Sequence, residues 1–194
     1  MAQLNNKIDE VIVTTLSANG ETHSAPMGIT RSNEQVLIQP FKPSTTYENL
    51  KRHRQCTINY TDDVRVFAGA LTGRRTWATL PCQQIEGQYL KQALTHLELE
   101  LVIFEDSDPR ASFTGTIINE VMHAPFRGFN RAQNAVIEAA VLTSRLNMLP
   151  EDKIKQEISY LRHAIEKTAG DREREAWSWL IDKIEDYGIE VAHD

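Results

Sequence analysis

Three consecutive hydroxyl side chains, Ser44, Thr45 and Thr46, follow Lys42 and Pro43 at the point where the sequence predicts the start of a helix. A helix N-terminus has unpaired N–H groups and the positive end of the helix dipole, so it can hold a phosphate. Lys42 would add a full positive charge beside it. The same hydroxyls are good N-caps, because their oxygens accept hydrogen bonds from free helix amides. The segment is therefore either a helix cap or a phosphate site.

The chain around this segment has the pattern of an antiparallel sheet. β-Branched and alternating apolar residues predict strands, and turn signals at Gly20, Asn33–Glu34 and Asp106–Pro109 separate them. The predicted strands cover residues 11–16, 23–30, 36–39, 56–60, 97–105 and 111–122. A helix is predicted from Ser44 to about Arg54. Residues 64–71 are ambiguous and could form a short helix.

The apolar spacing becomes helical near residue 130. It predicts one helix over residues 131–146, a second through Ile154 and Ile165, and a third through Ala176 and Ile184. Gly170 can end the second helix and Asp171 can cap the third. We therefore predict an α+β protein with an antiparallel β-rich domain over residues 1–125 and a helical region of about three helices over residues 126–194.

Composition limits the classes of partner. The chain has 194 residues, 41% of them hydrophobic, and a net charge of −6, which argues against a general nucleic-acid or anionic-membrane binder. Cys56 and Cys82 have no CxxC spacing and fit a reducing cytosol. The first ten residues are polar and unlike a signal peptide, and no apolar run approaches the roughly 20 residues of a membrane span. We expect a cytoplasmic protein with no nucleic-acid or membrane partner.

Common enzyme motifs are absent from the sequence. It contains no GxGxxG, Walker A or GxSxG pattern, and its six histidines lack the spacing of metal ligands. Asp62 and Asp63 follow a predicted strand and are expected to act in a turn or as a cap. Gly73–Thr76 is a short basic loop, for which exposure to solvent is favoured over ligand binding. These absences disfavour most hydrolases, kinases and dehydrogenases. No metal site is predicted, and no residue is identified as catalytic.

The order of these segments resembles the FMN-binding split barrel of the flavin reductase-like and pyridoxamine phosphate oxidase-like proteins. In flavin reductase-like members, a Ser/Thr-rich turn followed by Asn-Ile or Asn-Leu opens a helix, and a strand ending in Val-Asn follows. The matching positions here are Ser44–Thr46, Asn49–Leu50 and Ile58–Asn59.

A closer resemblance is to the DUF447 family of uncharacterised archaeal and bacterial proteins. It is carried by Thr14–Thr15, by Ala25–Gly28, by Thr57–Asp63, and by Phe129–Ala132 leading into Ala135–Ala139. These blocks extend from residue 10 to about residue 146. The resemblance implies the split-barrel fold, a helical C-terminal region, and a homodimer with FMN at or near the subunit interface.

The resemblance also implies roles for individual residues. Ser44, Thr45 and Thr46 would hold the FMN phosphate, and Lys42 would neutralise it. A flavin ring needs a flat apolar slot with backbone donors and acceptors, which the segment Pro26, Met27, Gly28 and Ile29 would supply. The remaining candidates, in or beside the matched blocks, are Thr14, Asn49, Asn59 and Arg131. Alternatively, Pro26 and Gly28 mark an edge-strand bulge, Asn49 caps a turn, and Arg131 forms a surface salt bridge.

Three functions remain open. The first is an FMN-dependent oxidoreductase, such as a flavin reductase that uses NAD(P)H or another electron donor. The second is an FMN carrier or sensor without turnover; occurrence of relatives in methanogens and methylotrophs hints at one-carbon metabolism. The third is a protein of the same fold that binds another phosphorylated ligand or haem. Haem is disfavoured, because His23 is the only strand candidate for an axial ligand.

Overall fold

The computed structural model describes residues 7–191, which form two compact units. The first unit comprises the described residues up to Thr61 together with Trp77–Phe126. The second comprises Asp62–Thr76 and the described residues from Arg127 onward. Residues 62–76 thus cluster with the helices, whereas the sequence analysis placed them in the first domain. Within residues 7–191, no helix combines the length and the apolar character needed to cross a membrane.

The first unit is built on a closed antiparallel barrel of six strands. The barrel follows the order β1-β2-β3-β8-β7-β4, and β5 and β6 form a separate two-stranded sheet. The strands are β1 (Ile8–Leu16), β2 (Thr22–Ser32), β3 (Gln35–Ile38), β4 (Gln55–Tyr60), β5 (Thr79–Pro81), β6 (Gln88–Leu90), β7 (Thr95–Glu105) and β8 (Ser112–Met122). The predicted α+β class, with an antiparallel barrel followed by helices, is confirmed.

Strand alternation separates an apolar interior from a polar outer layer. Val13, Ile58 and Leu97 belong to the buried interior cluster, which also includes Phe113 of β8. Their neighbours along the strands point outward, because successive side chains in a strand face opposite sides. Five of the outward residues on β1, β4 and β7 are polar and yet buried: Thr14, Thr57, Asn59, His96 and Glu98. We call these five residues the outer polar layer.

The short strand β6 covers part of the outer polar layer. The hydroxyl of Thr57 donates to the Gln88 carbonyl over 2.8 Å, and the Leu90 N–H donates to Asn59 Oδ1 over 2.8 Å. Buried polar groups need such partners, since an unpaired one costs about 1–3 kcal/mol. The sequence analysis did not predict β5 and β6, which have three residues each.

The helix α1 (Thr45–His53) packs against the barrel interior. Its Tyr47 and Leu50 are three positions apart, so they share one helix face, and both join the interior cluster. Ser44 is the N-cap and accepts a hydrogen bond from the Tyr47 N–H over 3.2 Å, and Arg54 ends the helix in a left-handed conformation with φ of 63°. The predicted helix from Ser44 to about Arg54 is confirmed.

The second unit contains four helices around its own core: α2 (Arg65–Leu71), α3 (Arg131–Thr143), α4 (Glu151–Thr168) and α5 (Asp171–Asp186). The ambiguous residues 64–71 are thus mostly helical. Buried Asp63 accepts hydrogen bonds from the Arg65 guanidinium, which also donates to Glu175 of α5. The second predicted helix, α4, ends at Thr168 with Ala169 as its C-cap, directly before Gly170. The prediction that Asp171 caps the third helix was wrong: Gly170 is the N-cap of α5, and Asp171 is its first residue.

Candidate functional site

Strand β2 has an open edge. It pairs with β1 over Thr22–Thr30, but β3 pairs with it only over Ile29–Ser32. Among residues 7–191, the stretch Thr22–Gly28 therefore has β1 as its single strand partner. Alternate N–H and C=O groups of such a stretch point away from the paired strand. This edge offers backbone donors and acceptors to a ligand.

The candidates Pro26, Met27, Gly28 and Ile29 lie along this strand but on both of its faces. Ile29 belongs to the barrel interior and Met27 packs against it, so these two side chains face inward. Pro26 and Gly28 face outward. A Cβ atom added at Gly28 would lie 2.7 Å from Cγ2 of Ile8, so the Ile8 side chain makes the close approach at this glycine.

The three hydroxyl residues at the N-terminus of α1 differ in burial and in role. The Ser44 hydroxyl caps the helix, Thr46 is buried, and Thr45 is exposed. The Ser44 cap satisfies the Tyr47 N–H, and the other amides of the first turn have no partner within the helix. Ser44 is thus a cap, as one alternative predicted, while the exposed first turn keeps the capacity to bind an anion.

Lys42 is held by carboxylates. Its Nζ lies 2.6 Å from Asp106 Oδ1 and 3.0 Å from Asp108 Oδ1. These two hydrogen bonds raise the pKa of Lys42, and the bond from Lys42 lowers the pKa of Asp106. Tyr47 also donates to Asp106 over 3.1 Å. The positive charge that was predicted to neutralise a phosphate is therefore already paired with Asp106 and Asp108.

Asn49 connects α1 to β1. Its Nδ2 donates to Thr15 Oγ1 over 2.9 Å, and the Thr15 hydroxyl donates to the His23 carbonyl of β2 over 3.4 Å. The Arg52 guanidinium also donates to the Leu16 carbonyl. These contacts place α1 beside the start of the open edge of β2. The helix that begins at the predicted phosphate segment therefore contacts the strand that contains the predicted ring segment.

Thr14 and Asn59 meet in the outer polar layer. Asn59 Nδ2 donates to Thr14 Oγ1 over 3.0 Å and to the Ile12 carbonyl over 3.0 Å. Thr14 Oγ1 also lies 3.0 Å from Ser24 Oγ on β2. Because Asn59 Oδ1 is already bonded to Leu90 N–H, both ends of this buried amide have protein partners. Asn59 therefore positions strands, and Thr14 reaches β2 through Ser24.

Arg131 lies in the other unit. It is the first residue of α3 and lines a cavity of about 520 Å³ between α3 and α4, together with Phe129, Tyr160 and His163. Asn130 caps α3 by accepting hydrogen bonds from the N–H groups of Ala132 and Gln133.

A cluster around Glu98 was not predicted from the sequence. Its carboxylate is fully buried and accepts hydrogen bonds from the N–H groups of Gln83, Gln84 and Ile85 over 2.9, 2.7 and 3.2 Å. Asn119 Nδ2 donates to it over 3.2 Å, and His96 Nε2 lies 3.2 Å from it. Two polar residues at i and i+2 in a strand share a face. This spacing of His96 and Glu98 is the sequence feature from which the cluster could have been predicted.

The hydrogen bonds around Glu98 determine its charge. Burial alone would raise the pKa of Glu98, but the bonds from Gln83, Gln84, His96 and Asn119 outweigh burial, and the pKa is lowered. Burial lowers the pKa of His96, and the bond to Glu98 only partly opposes this shift. At neutral pH, Glu98 is therefore an anion and His96 is neutral.

The two cysteines are protonated thiols at neutral pH. Cys56 is buried in the barrel interior and Cys82 is half-buried. Burial raises the pKa of each thiol to about 12, so both stay protonated at neutral pH. Among the described residues, no group of three or more His, Cys, Asp or Glu side chains is arranged to hold a metal ion.

Two family models match the chain. The model described as the N-terminal domain of the protein of unknown function DUF447 matches residues 9–124, and the DUF447 C-terminal model matches residues 130–182. An uncharacterised protein of Methanocaldococcus jannaschii, MJ1453, is 24% identical over 185 residues, which cover 86% of this chain and 92% of that protein.

Solved structures share the fold. The FMN-bound protein MM1853 of Methanosarcina mazei, also of DUF447, superposes with a TM-score of 0.78 at 22% identity, covering 94% of this chain and 97% of the other. The NADH:FAD oxidoreductase SgcE6 of Streptomyces globisporus superposes with a TM-score of 0.51 at 15% identity, covering 63% and 80%. The predicted split-barrel fold is thereby confirmed.

We predict that Glu98→Gln lowers the free energy of unfolding by about 3 kcal/mol, because an amide NH₂ would face donors that now bond to a carboxylate. Chemical denaturation at pH 7 measures the change. Glu100→Gln is the matched control, since Glu100 is exposed on the same strand, and should change stability by less than about 0.5 kcal/mol. Equal effects of the two substitutions would contradict the assigned role of Glu98.

Proposed function

Because the chain belongs to the DUF447 family, we propose that it binds FMN and acts as a flavin-dependent oxidoreductase of the flavin reductase type. The observation that carries the proposal is the meeting of α1 with the open edge of β2. An exposed helix N-terminus suits the phosphate, and an unpaired strand edge suits the polar rim of a flavin ring. The Methanosarcina relative with the same fold is itself FMN-bound.

The ring would lie along the Thr22–Gly28 edge. There, outward Pro26 offers an apolar surface, and the backbone groups that point away from β1 offer donors and acceptors. Met27 and Ile29 support this strand from inside the barrel and do not face the ligand. Thr14 and Asn59 hold the strand in place through Ser24. These residues bind and orient, whereas the bound flavin itself supplies the electron-accepting chemistry.

The phosphate would lie at the first turn of α1. Thr45 is the exposed hydroxyl, and Ser44 and the buried Thr46 frame the amides beside it. Lys42 would turn toward the phosphate by giving up one of its two carboxylate partners, and Asp108 is the more exposed of these. Asn49 fixes the helix against β1. Arg131 lies in the helical unit, and its role in FMN binding stays a prediction.

A second function is favoured by one observation. The Methanosarcina relative is described as FMN-bound, without an activity. An FMN carrier or sensor needs only the residues that bind the cofactor. The reductase is placed first because the SgcE6 protein, which shares the barrel, is an NADH:FAD oxidoreductase.

We also propose a cytoplasmic homodimer with FMN at or near the subunit interface. Exposed apolar side chains on the barrel unit, including Phe41, Val102 and Ile103, support self-association, since large exposed apolar groups favour contact with a partner. The free, protonated thiols of Cys56 and Cys82 fit a reducing compartment.

Removing the proposed phosphate hydroxyls should weaken FMN binding. We expect Thr45→Ala together with Thr46→Ala to reduce binding by about 1–3 kcal/mol, since bonds to a charged phosphate are lost. Flavin fluorescence titration measures the affinity. The single variant Thr45→Ala measures the contribution of the exposed hydroxyl without changing the buried Thr46. Thr76→Ala, an exposed threonine of the other unit, is the control. An affinity that both threonine variants leave unchanged would place the phosphate elsewhere.

Mixing with reduced nicotinamides separates the two functions. We expect the FMN-loaded protein to lose its flavin absorbance when mixed with NADH or NADPH in a stopped-flow instrument without oxygen, because a reductase passes a hydride to the ring. Bound FMN that keeps its absorbance with both donors would favour the carrier or sensor. Colourless protein that ignores added FMN would exclude both functions.

The assembly state has a direct measurement. We expect sedimentation velocity to give a mass near twice the 22.1 kDa of the chain. A glutamate in place of Val102 should shift the protein toward the monomer, because a buried unpaired charge opposes association. A wild-type protein that sediments as a monomer at micromolar concentration, with or without FMN, would contradict the proposed dimer.

A further inference from the structure

Three aromatic rings form a stacked group at the outer polar layer. The Tyr89 ring lies parallel to the His96 ring at 3.9 Å between centroids and to the His123 ring at 5.0 Å. The two imidazoles lie side by side at nearly the same inclination, with His96 Nδ1 only 2.8 Å from His123 Nε2. His96 is 1% exposed, whereas His123 is exposed. The group therefore connects a fully buried imidazole to the surface.

Glu98 determines which nitrogens carry protons. A carboxylate only accepts hydrogen bonds, so His96 Nε2, at 3.2 Å from Glu98, must be a donor. In neutral His96, Nδ1 is then the acceptor, and His123 Nε2 must donate to it. The remaining nitrogen, His123 Nδ1, holds a lone pair and belongs to the exposed ring. The basic atom of the group therefore lies on the exposed ring.

The pair has room for one additional proton. If His123 Nδ1 takes up a proton, the proton on His123 Nε2 can pass to His96 Nδ1 without breaking the contact of 2.8 Å. The positive charge then lies beside the Glu98 carboxylate, which is its counter-charge. A second additional proton would place N–H groups on both facing nitrogens, and that would break the contact.

We propose that Glu98, His96 and His123 form a one-proton relay, with His123 Nδ1 as a base at the protein surface. The relay would accept a proton from an N–H or O–H group of a ligand bound beside Tyr89, or from water. In this relay, the buried Glu98 carboxylate orients the His96 imidazole and stabilises the positive charge that this imidazole acquires. The proposal concerns the chain alone and stands apart from FMN binding.

Other groups that face the relay are neutral at pH 7 or are bonded to Glu98. Tyr89 covers both imidazoles from β6, and Asn119 of β8 donates to Glu98. Cys82, whose thiol is influenced by Glu98, stays protonated. The N–H groups of Gln83, Gln84 and Ile85 complete the shell. Glu98 is thus the one charged group in this shell of described residues. Its negative charge therefore favours the protonated form of the histidine pair.

Imidazole ¹⁵N NMR across pH 5–9 tests the relay on protein without FMN. In the wild type, we expect His96 Nε2 to remain protonated throughout, and the nitrogens of His96 and His123 to shift with one common midpoint as a single proton is bound. Exposed His163, on α4, whose Nδ1 lies 3.2 Å from the Ser159 carbonyl, serves as an internal reference outside the relay. Two separate midpoints, with one proton bound by each ring, would overturn the proposal.

Two substitutions test the direction of coupling. Glu98→Gln should lower the common midpoint by about one pH unit or more, since the protonated pair loses its counter-charge. The exposed Glu100→Gln should leave it unchanged within about 0.2 units. His123→Gln is a second test that keeps Glu98 intact, and it serves if Glu98→Gln fails to fold. In this variant His96 should stop titrating between pH 5 and 8. A His96 ring that still titrates with the wild-type midpoint would overturn the relay.

Discussion

The buried Glu98 carboxylate is the interaction on which one whole side of the barrel unit depends. A closed barrel normally turns polar side chains of its strands outward to water, but here five outward polar residues of β1, β4 and β7 are buried. Covering them is favourable only if each polar group finds a partner. Glu98 meets this condition by accepting bonds from three consecutive backbone amides, which fixes residues 83–85 against β7. The neighbouring strand β6 then completes the pairing of Thr57 and Asn59.

The same layer explains why the proposed ligand edge lies on β2. The bonds from Asn59 to Thr14 and from Thr14 to Ser24 run across β4, β1 and β2, so polar pairing reaches the first part of β2 from one side. On its other side β3 is too short to pair with that part. The strand is thus held firmly at one edge and left open at the other, which is the combination that a rigid backbone-binding site requires.

Elements that depend on neighbouring residues in the sequence were predictable. Elements that depend on contacts between distant residues were not. The apolar alternation of β1 and β4 and the cap at Ser44 are encoded within a few residues, so their elements were correctly placed. The strands β5 and β6 have three residues each and depend on side chains of β4 and β7 that are distant in sequence. The same holds for Glu98, whose backbone partners lie 13 to 15 residues earlier and carry no recognisable motif.

Within the candidate site, residue type did not show which protein groups each side chain contacts. The sequence predicted Asn49 and Thr14 as ligand-binding residues, but it could not show that both use their polar atoms on protein partners. Lys42 is the clearest example, because a lysine beside a helix N-terminus predicts anion binding only while it is unpaired. Asp106 and Asp108 lie in the connection between β7 and β8, far from Lys42 in sequence, and contact it only in the folded structure. A phosphate at α1 must therefore compete with these carboxylates, so the charge available to it depends on tertiary structure and not on the local motif.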